Sequence, residues 1–221
     1  MNLTLALTIR PRDWLALALT LCLSPAMAQS TAPAFTERLA DAAVLAQIQQ
    51  GGYVLYMRHG TTDNSRADPV GQIDFKDCSI QRVLNDEGRK VARDIGQAMR
   101  KAQIPVTEVF HSPMCRARET AELAFPALRK QFKSDINLAY TANLTTEQKK
   151  PVIAQTRRLV SDPVTAGGNR VVVAHAPNMA DLMGYFVKPE GTVVVIRPLG
   201  PGQFEYVASI PPAHWAQLNK Q

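Results

Sequence analysis

The chain of 221 residues is 46% hydrophobic and carries 25 basic against 19 acidic side chains, a formal net charge of +6. This composition suits one folded core and excludes a disordered or low-complexity chain. The positive balance favours anionic ligands. The basic residues are scattered, aromatics are few and nothing reads as a nucleic-acid motif, so no nucleic-acid partner is expected.

Arg10 and Arg12 precede an apolar run from Trp14 to Leu23, and Ala26-Met27-Ala28 follows it. That three-part order is the pattern of a secretory signal peptide, residues 1–28. The run is roughly half the length a bilayer span needs, so cleavage after Ala28 is expected. The mature chain, 29–221, then forms a single domain in which 23 basic and 18 acidic residues remain once Arg10, Arg12 and Asp13 are removed. No later stretch approaches membrane-spanning length. A periplasmic or secreted location, without stable membrane insertion, is the expectation.

Pro33 to Gln50 places Phe35, Leu39, Ala42, Ala43 and Ile48 at near-helical spacing with Thr36 as a cap, which predicts a helix stopped by Gly51-Gly52. Tyr53 to Met57 is a short apolar run suited to a strand buried on both faces, and Arg58-His59-Gly60 follows it. Thr61 to Ser79 is polar and rich in turn formers. A loop of that length inside a domain is usually functional. Leu84 to Ala102 has an amphipathic helical pattern. Val106 to His111 reads as a strand, and Ser112-Pro113 starts a helix through Thr120 to Leu123. Ile136 to Tyr140 is expected as a short strand and Thr145 to Leu159 as a helix. Arg170 to Ala174 is a third buried strand, ending at His175. A helix from Asn178 to Phe186 and strands over 192–197 and 203–210 complete the chain. The alternation predicts an α/β fold, a three-layer sandwich with a mainly parallel central sheet and helices on both faces.

In such sheets ligands gather at the carboxyl ends of the strands, and three strands here end at His59, Ser112 and His175. A neutral imidazole can attack phosphorus without the base a serine would need. Arg58 supplies planar donors for phosphate oxygens, and Gly60 would let backbone approach an anion closely. The segment Ser112 to Ala121 adds a helix amino terminus and Arg116, both favourable for phosphate. Arg118, two residues on, points elsewhere on a helix and reads as a solvated side chain.

In these motifs the chain resembles the histidine phosphatase superfamily (branch 1 type). The likeness rests on Arg58-His59-Gly60 after the first strand, on Ser112-x-x-x-Arg116-Ala117-x-x-Thr120-Ala121, on Gln81-Arg82-Val83-Leu84 with Gly88, and on His175 after a late strand. The resemblance implies a phosphoglycerate mutase-like fold, His59 as nucleophile, and Arg58, Arg116 and His175 holding the phosphate. Gly60, Thr61, Arg82 and Ser112 would be substrate contacts. It implies a phosphoric monoester hydrolase with no metal and no cofactor. His111 reads as a strand residue and His214 as a surface or packing residue beside Trp215. The pattern departs where many members carry a Glu general acid: that region reads Tyr140 to Glu147, so Glu147 is the nearest candidate, with Asp63 a second and no acid a third. The expected substrate is a phosphorylated small molecule, such as a sugar phosphate, or an envelope glycan. A phosphomutase and a non-catalytic phosphate-binding module of the same fold are the alternatives. Cys78 and Cys115 either pair, as an oxidising compartment favours, or pack as two buried thiols.

Overall fold

The computed structural model describes residues 35–69, 71 and 73–220, all within one compact unit; the expected signal peptide lies outside them. Helix α1 (Ala42–Gln49) leads into strand β1 (Val54–Arg58), then come α2 (Asp86–Lys101), β2 (Val106–His111), α3 (Cys115–Ala124), β3 (Lys133–Ser134), α4 (Thr146–Ser161), β4 (Asn169–Ala174), α5 (Ala176–Met183), β5 (Val193–Pro198), β6 (Phe204–Ile210) and α6 (Trp215–Leu218). The sheet order is β3-β2-β4-β1-β5-β6. β1, β4, β2 and β3 pair in parallel, whereas β5 runs antiparallel to β1 and to β6. The last two strands are joined by a tight turn closed by the Leu199 N–H on the Gln203 carbonyl, and so short a link permits only antiparallel pairing.

Alternating side chains divide the sheet between two cores. Leu55, Met57, Val171, Val173, Val193 and Val195 face Ile95 and Met99 of α2, Ala117 and Ala121 of α3, and Trp215 of α6. Val54, Tyr56, Val172, Ala174, Val194 and Ile196 face Leu159 and Val160 of α4 and Met179 and Leu182 of α5. Apolar runs with no polar alternation are what a strand covered on both faces requires, and all six residues of β4 are buried. The three-layer arrangement is therefore present.

Two local expectations are corrected. The first helix starts at Ala42, not Pro33, because Asp41 is the residue that caps it, accepting the Val44 N–H at 2.9 Å. The preceding residues run alongside β6, where the Ala40 N–H donates to the Ser209 carbonyl and the Ser209 N–H to the Arg38 carbonyl. Residues 136–140 form a 3-10 turn over Ile136–Leu138 rather than a strand; Asp135 accepts the Asn137 N–H and bends the chain there. The edge strand lies just before, at Lys133–Ser134.

The amino end of α2 is pressed against the chain leaving β1. A Cβ on Gly60 would sit 2.5 Å from the Gly88 carbonyl oxygen, and one on Gly88 would sit 1.9 Å from that of Thr61. Both glycines are thus required by backbone meeting backbone, a different reason for Gly60 than approach to an anion. α2 begins there because the Asn85 side chain accepts the Gly88 N–H at 2.8 Å.

Candidate active site

β1, β2 and β4 end side by side and deliver His59, Ser112 and His175 to one place. The His59 and His175 rings are 5.2 Å apart and edge to face. Both are buried, at 2% and 0% exposure, and so is Arg116 at 0%. The Gly60 N–H donates to Thr120 Oγ1 at 3.0 Å, and the Gly191 N–H to the His59 carbonyl at 3.0 Å. His59 is therefore anchored from α3 on one side and from the β5 approach on the other.

The tautomer of His59 follows from its partner. Nδ1 lies 2.8 Å from the Gly60 carbonyl, a group that only accepts, so Nδ1 carries the proton and Nε2 keeps its lone pair. Burial, and then the positive charges of Arg116, Arg58 and Arg82, hold its pKa well below 6.5. Burial and Arg116 do the same to His175. His175 Nε2 meets Ser112 Oγ at 2.8 Å. When that hydroxyl donates, the ring proton sits on Nδ1, which is buried and without a partner.

Each of the two central guanidinium groups is held along one edge and bare on the other. Arg116 Nη1 reaches Asp68 Oδ1 and Oδ2, both at 3.0 Å, while Nε and Nη2 have no partner. Arg58 Nη1 donates to the Val187 carbonyl at 2.8 Å and Nη2 pairs with Glu190 at 3.2 Å, leaving Nε unpartnered. Arg82 Nε is likewise buried and unpartnered. Buried donors without acceptors are costly unless a ligand supplies oxygens, and guanidinium edges match the oxygens of a phosphoryl group. Tyr140 forms part of the wall, with its ring 5.1 Å from the Arg116 guanidinium and 5.5 Å from the His175 ring.

Arg58, His59, Arg82, Arg116 and His175 thus come together, with Ser112 bonded to His175; the Gly60 N–H is already given to Thr120, and the Thr61 carbonyl accepts the Asn85 N–H. Glu147 is placed in the first turn of α4, its side chain 77% exposed and paired with Lys150 at 2.6 Å. Asp63 accepts the Ser65 N–H in an exposed turn. Neither makes a hydrogen bond or ion pair to the buried histidines and arginines. Sequence reasoning missed Asp68, Glu190 and Tyr140, which lie at no regular spacing from the residues they touch. His111 ends β2, and His214 Nε2 donates to the Ala40 carbonyl at 2.6 Å. Among the described residues, no group of three or more His, Cys, Asp or Glu is placed to hold a metal, and no helix is long and apolar enough to cross a membrane.

Cys78 and Cys115 form a disulfide across 37 positions. It ties the long loop after β1 to the first turn of α3, next to Arg116, and the Cys115 N–H donates to Gln81 Oε1 at 3.0 Å. Closing a loop of that length stabilises by about 3–4 kcal/mol in the chain-entropy picture. A double Cys78→Ser, Cys115→Ser variant is expected to lose about that much in urea denaturation; an unchanged midpoint would contradict it.

Buried neutral histidines also set a pH dependence. Both folded-state pKa values lie below 6.5, so as pH falls through 6.5 the unfolded chain takes up protons that the folded chain does not. This contribution to stability is complete above that pH and is lost progressively below it. Urea midpoints are expected to fall on going from pH 7.5 to pH 5, and a midpoint that rose over that interval would refute the linkage.

An α/β sheet with a tautomer-fixed imidazole among three arginines at its strand ends defines a protein built to hold an oxyanion. Residues 54–158 match the model of the histidine phosphatase superfamily (branch 1), and the chain has the phosphoglycerate mutase-like fold. Among solved structures, the protein histidine phosphatase SixA in complex with tungstate superposes with a TM-score of 0.51 at 17% identity, covering 73% of this chain and 97% of that one. A mycobacterial glucosyl-3-phosphoglycerate phosphatase gives 0.48 at 17% identity, over 72% and 96%. No curated protein matches the sequence significantly.

Proposed function

We propose that the protein is a phosphatase that hydrolyses phosphate monoesters through a phosphohistidine on His59. The observation that carries this reading is the hydrogen bond from Nδ1 to the Gly60 carbonyl, which leaves Nε2 unprotonated beside bare guanidinium edges. Nε2 attacks phosphorus while Arg58, Arg82, Arg116 and His175 bind the equatorial oxygens, whose charge they stabilise during an in-line transfer. Water then attacks the phosphohistidine and regenerates the imidazole. The depressed pKa of His59 keeps the nucleophile neutral in mildly acidic solution.

The substrate class favoured is a small or envelope-linked phosphorylated molecule, such as a sugar phosphate, met in the periplasm or outside the cell. The signal-type amino terminus and the Cys78–Cys115 disulfide support an oxidising compartment. The test is turnover of p-nitrophenyl phosphate with chelator present, by the parent and by His59→Ala. Loss only in the variant supports the reading; chelator-sensitive or equal turnover refutes it. A screen of sugar phosphates, nucleotides and phosphohistidine addresses the substrate. A phosphomutase would instead pass the phosphoryl group to an added sugar or glycerate acceptor, and this is read from the same assay as transfer outrunning hydrolysis.

A further inference from the structure

The catalytic cycle above needs a group that gives a proton to the departing oxygen and takes one from the attacking water. We propose that Glu190 is this general acid and base. The inference rests on the phosphatase reading and completes it. Among the described residues two carboxylates touch the arginines of the site, and their surroundings differ. Asp68 is 5% exposed and locked: both its oxygens meet Arg116 at 3.0 Å, and Oδ1 also accepts the Arg82 N–H at 2.9 Å. A carboxylate so fully used orients Arg116 and has no freedom to carry protons.

Glu190 is held more loosely. Its Oε1 alone meets both Arg58 Nη2 at 3.2 Å and the Thr62 hydroxyl at 3.3 Å, and its side chain is 17% exposed, so it adjoins both Arg58 and solvent. Its backbone is nonetheless fixed relative to the nucleophile, because the next residue, Gly191, donates its N–H to the His59 carbonyl. A phosphoryl group arriving at Arg58 finds the Nε edge bare. The phosphoryl group and the Glu190 carboxyl then lie on the same guanidinium, which sets the carboxyl beside the group it serves.

The steps balance. The Nε2 lone pair forms the N–P bond as the P–O ester bond breaks. The electron pair of that bond stays on the leaving oxygen, which takes the Glu190 proton. Water then attacks phosphorus and gives a proton to the Glu190 carboxylate, while the N–P electrons return to Nε2. The net change is ester and water to alcohol and phosphate, with Glu190 protonated again for the next turnover.

The experiment is a series of aryl phosphates of similar shape, from p-nitrophenyl through phenyl to p-methoxyphenyl, with the parent, Glu190→Gln and Glu190→Asp. A general acid matters most for poor leaving groups and contributes roughly 10²–10⁴ in rate. In Glu190→Gln, kcat/KM is expected to fall by about 10² or more on the phenyl and p-methoxyphenyl esters but by less than about tenfold on the p-nitrophenyl ester. Glu190→Asp, which still carries a proton, should keep the shallow leaving-group dependence of the parent. Equal loss across the series in Glu190→Gln would mean that Glu190 only positions Arg58, and no loss would mean it has no role; either overturns the proposal while leaving the phosphatase intact. A steep dependence in Glu190→Asp overturns it as well, including when Glu190→Gln does not fold. A parent inactive on every ester would bring down the phosphatase reading and the acid together.

Discussion

His59→Ala is expected to remove turnover of phosphate esters by about 10⁴-fold or more, as loss of a covalent nucleophile does in enzymes whose remaining groups only bind and polarise. The substitution removes Nε2, the atom proposed to bond phosphorus, but leaves the guanidinium groups of Arg58, Arg82 and Arg116 in place to attract phosphate. The variant should therefore still be inhibited or stabilised by inorganic phosphate or tungstate. Trapping the parent during turnover should yield an acid-labile, alkali-stable phosphoryl adduct that is missing from the variant. An adduct on a serine, or one that survives the substitution, would relocate the nucleophile.

Arg116→Ala is expected to cost both activity and stability. The guanidinium is buried and its partner Asp68 is 5% exposed at the side chain, so deleting Arg116 strands a carboxylate inside the protein. Breaking a buried pair from one side costs about 3–5 kcal/mol, more than the pair itself contributes. Asp68→Asn in the same background removes the stranded charge and should recover part of the loss, a coupling that a double-mutant cycle in urea measures directly. Activity follows a different course: removing the Nε and Nη2 donors should lower kcat by about 10²–10³, and Asp68→Asn should not restore it. Recovery of activity in the double variant would show that Arg116 serves the fold rather than the phosphoryl group.

These two residues also mark how far the sequence carried. His59 and Arg116 were legible because each sits in a local pattern, one after an apolar run and one in the first turn of a helix, and such patterns fix the ends of elements. The apolar runs of β1 and β4 announced burial on both faces, and the positions of Ser112 and His175 followed from counting to the end of a strand. Helical spacing of Phe35 and Leu39 extends the first helix in the sequence, but pairing beside β6 overrides that spacing. The composition of residues 136–140 suits a strand, but Asp135 turns the chain there.

Glu190 and Asp68 belong to the other category. Asp68 lies in a long irregular loop and Glu190 in the turn before β5, where no periodicity constrains which way a side chain points. Their pairing with Arg58 and Arg116 depends on the sheet order, on the disulfide that draws the loop to α3, and on the Gly191 contact to His59. The sequence by itself determined the class of fold, the histidine pair and the arginines, since these ride on regular elements whose period and ends are local properties. Only the tertiary structure decided the tautomer of His59, the bare edges of the guanidinium groups and the carboxylates that face them, because each depends on groups far apart in the chain that packing brings together.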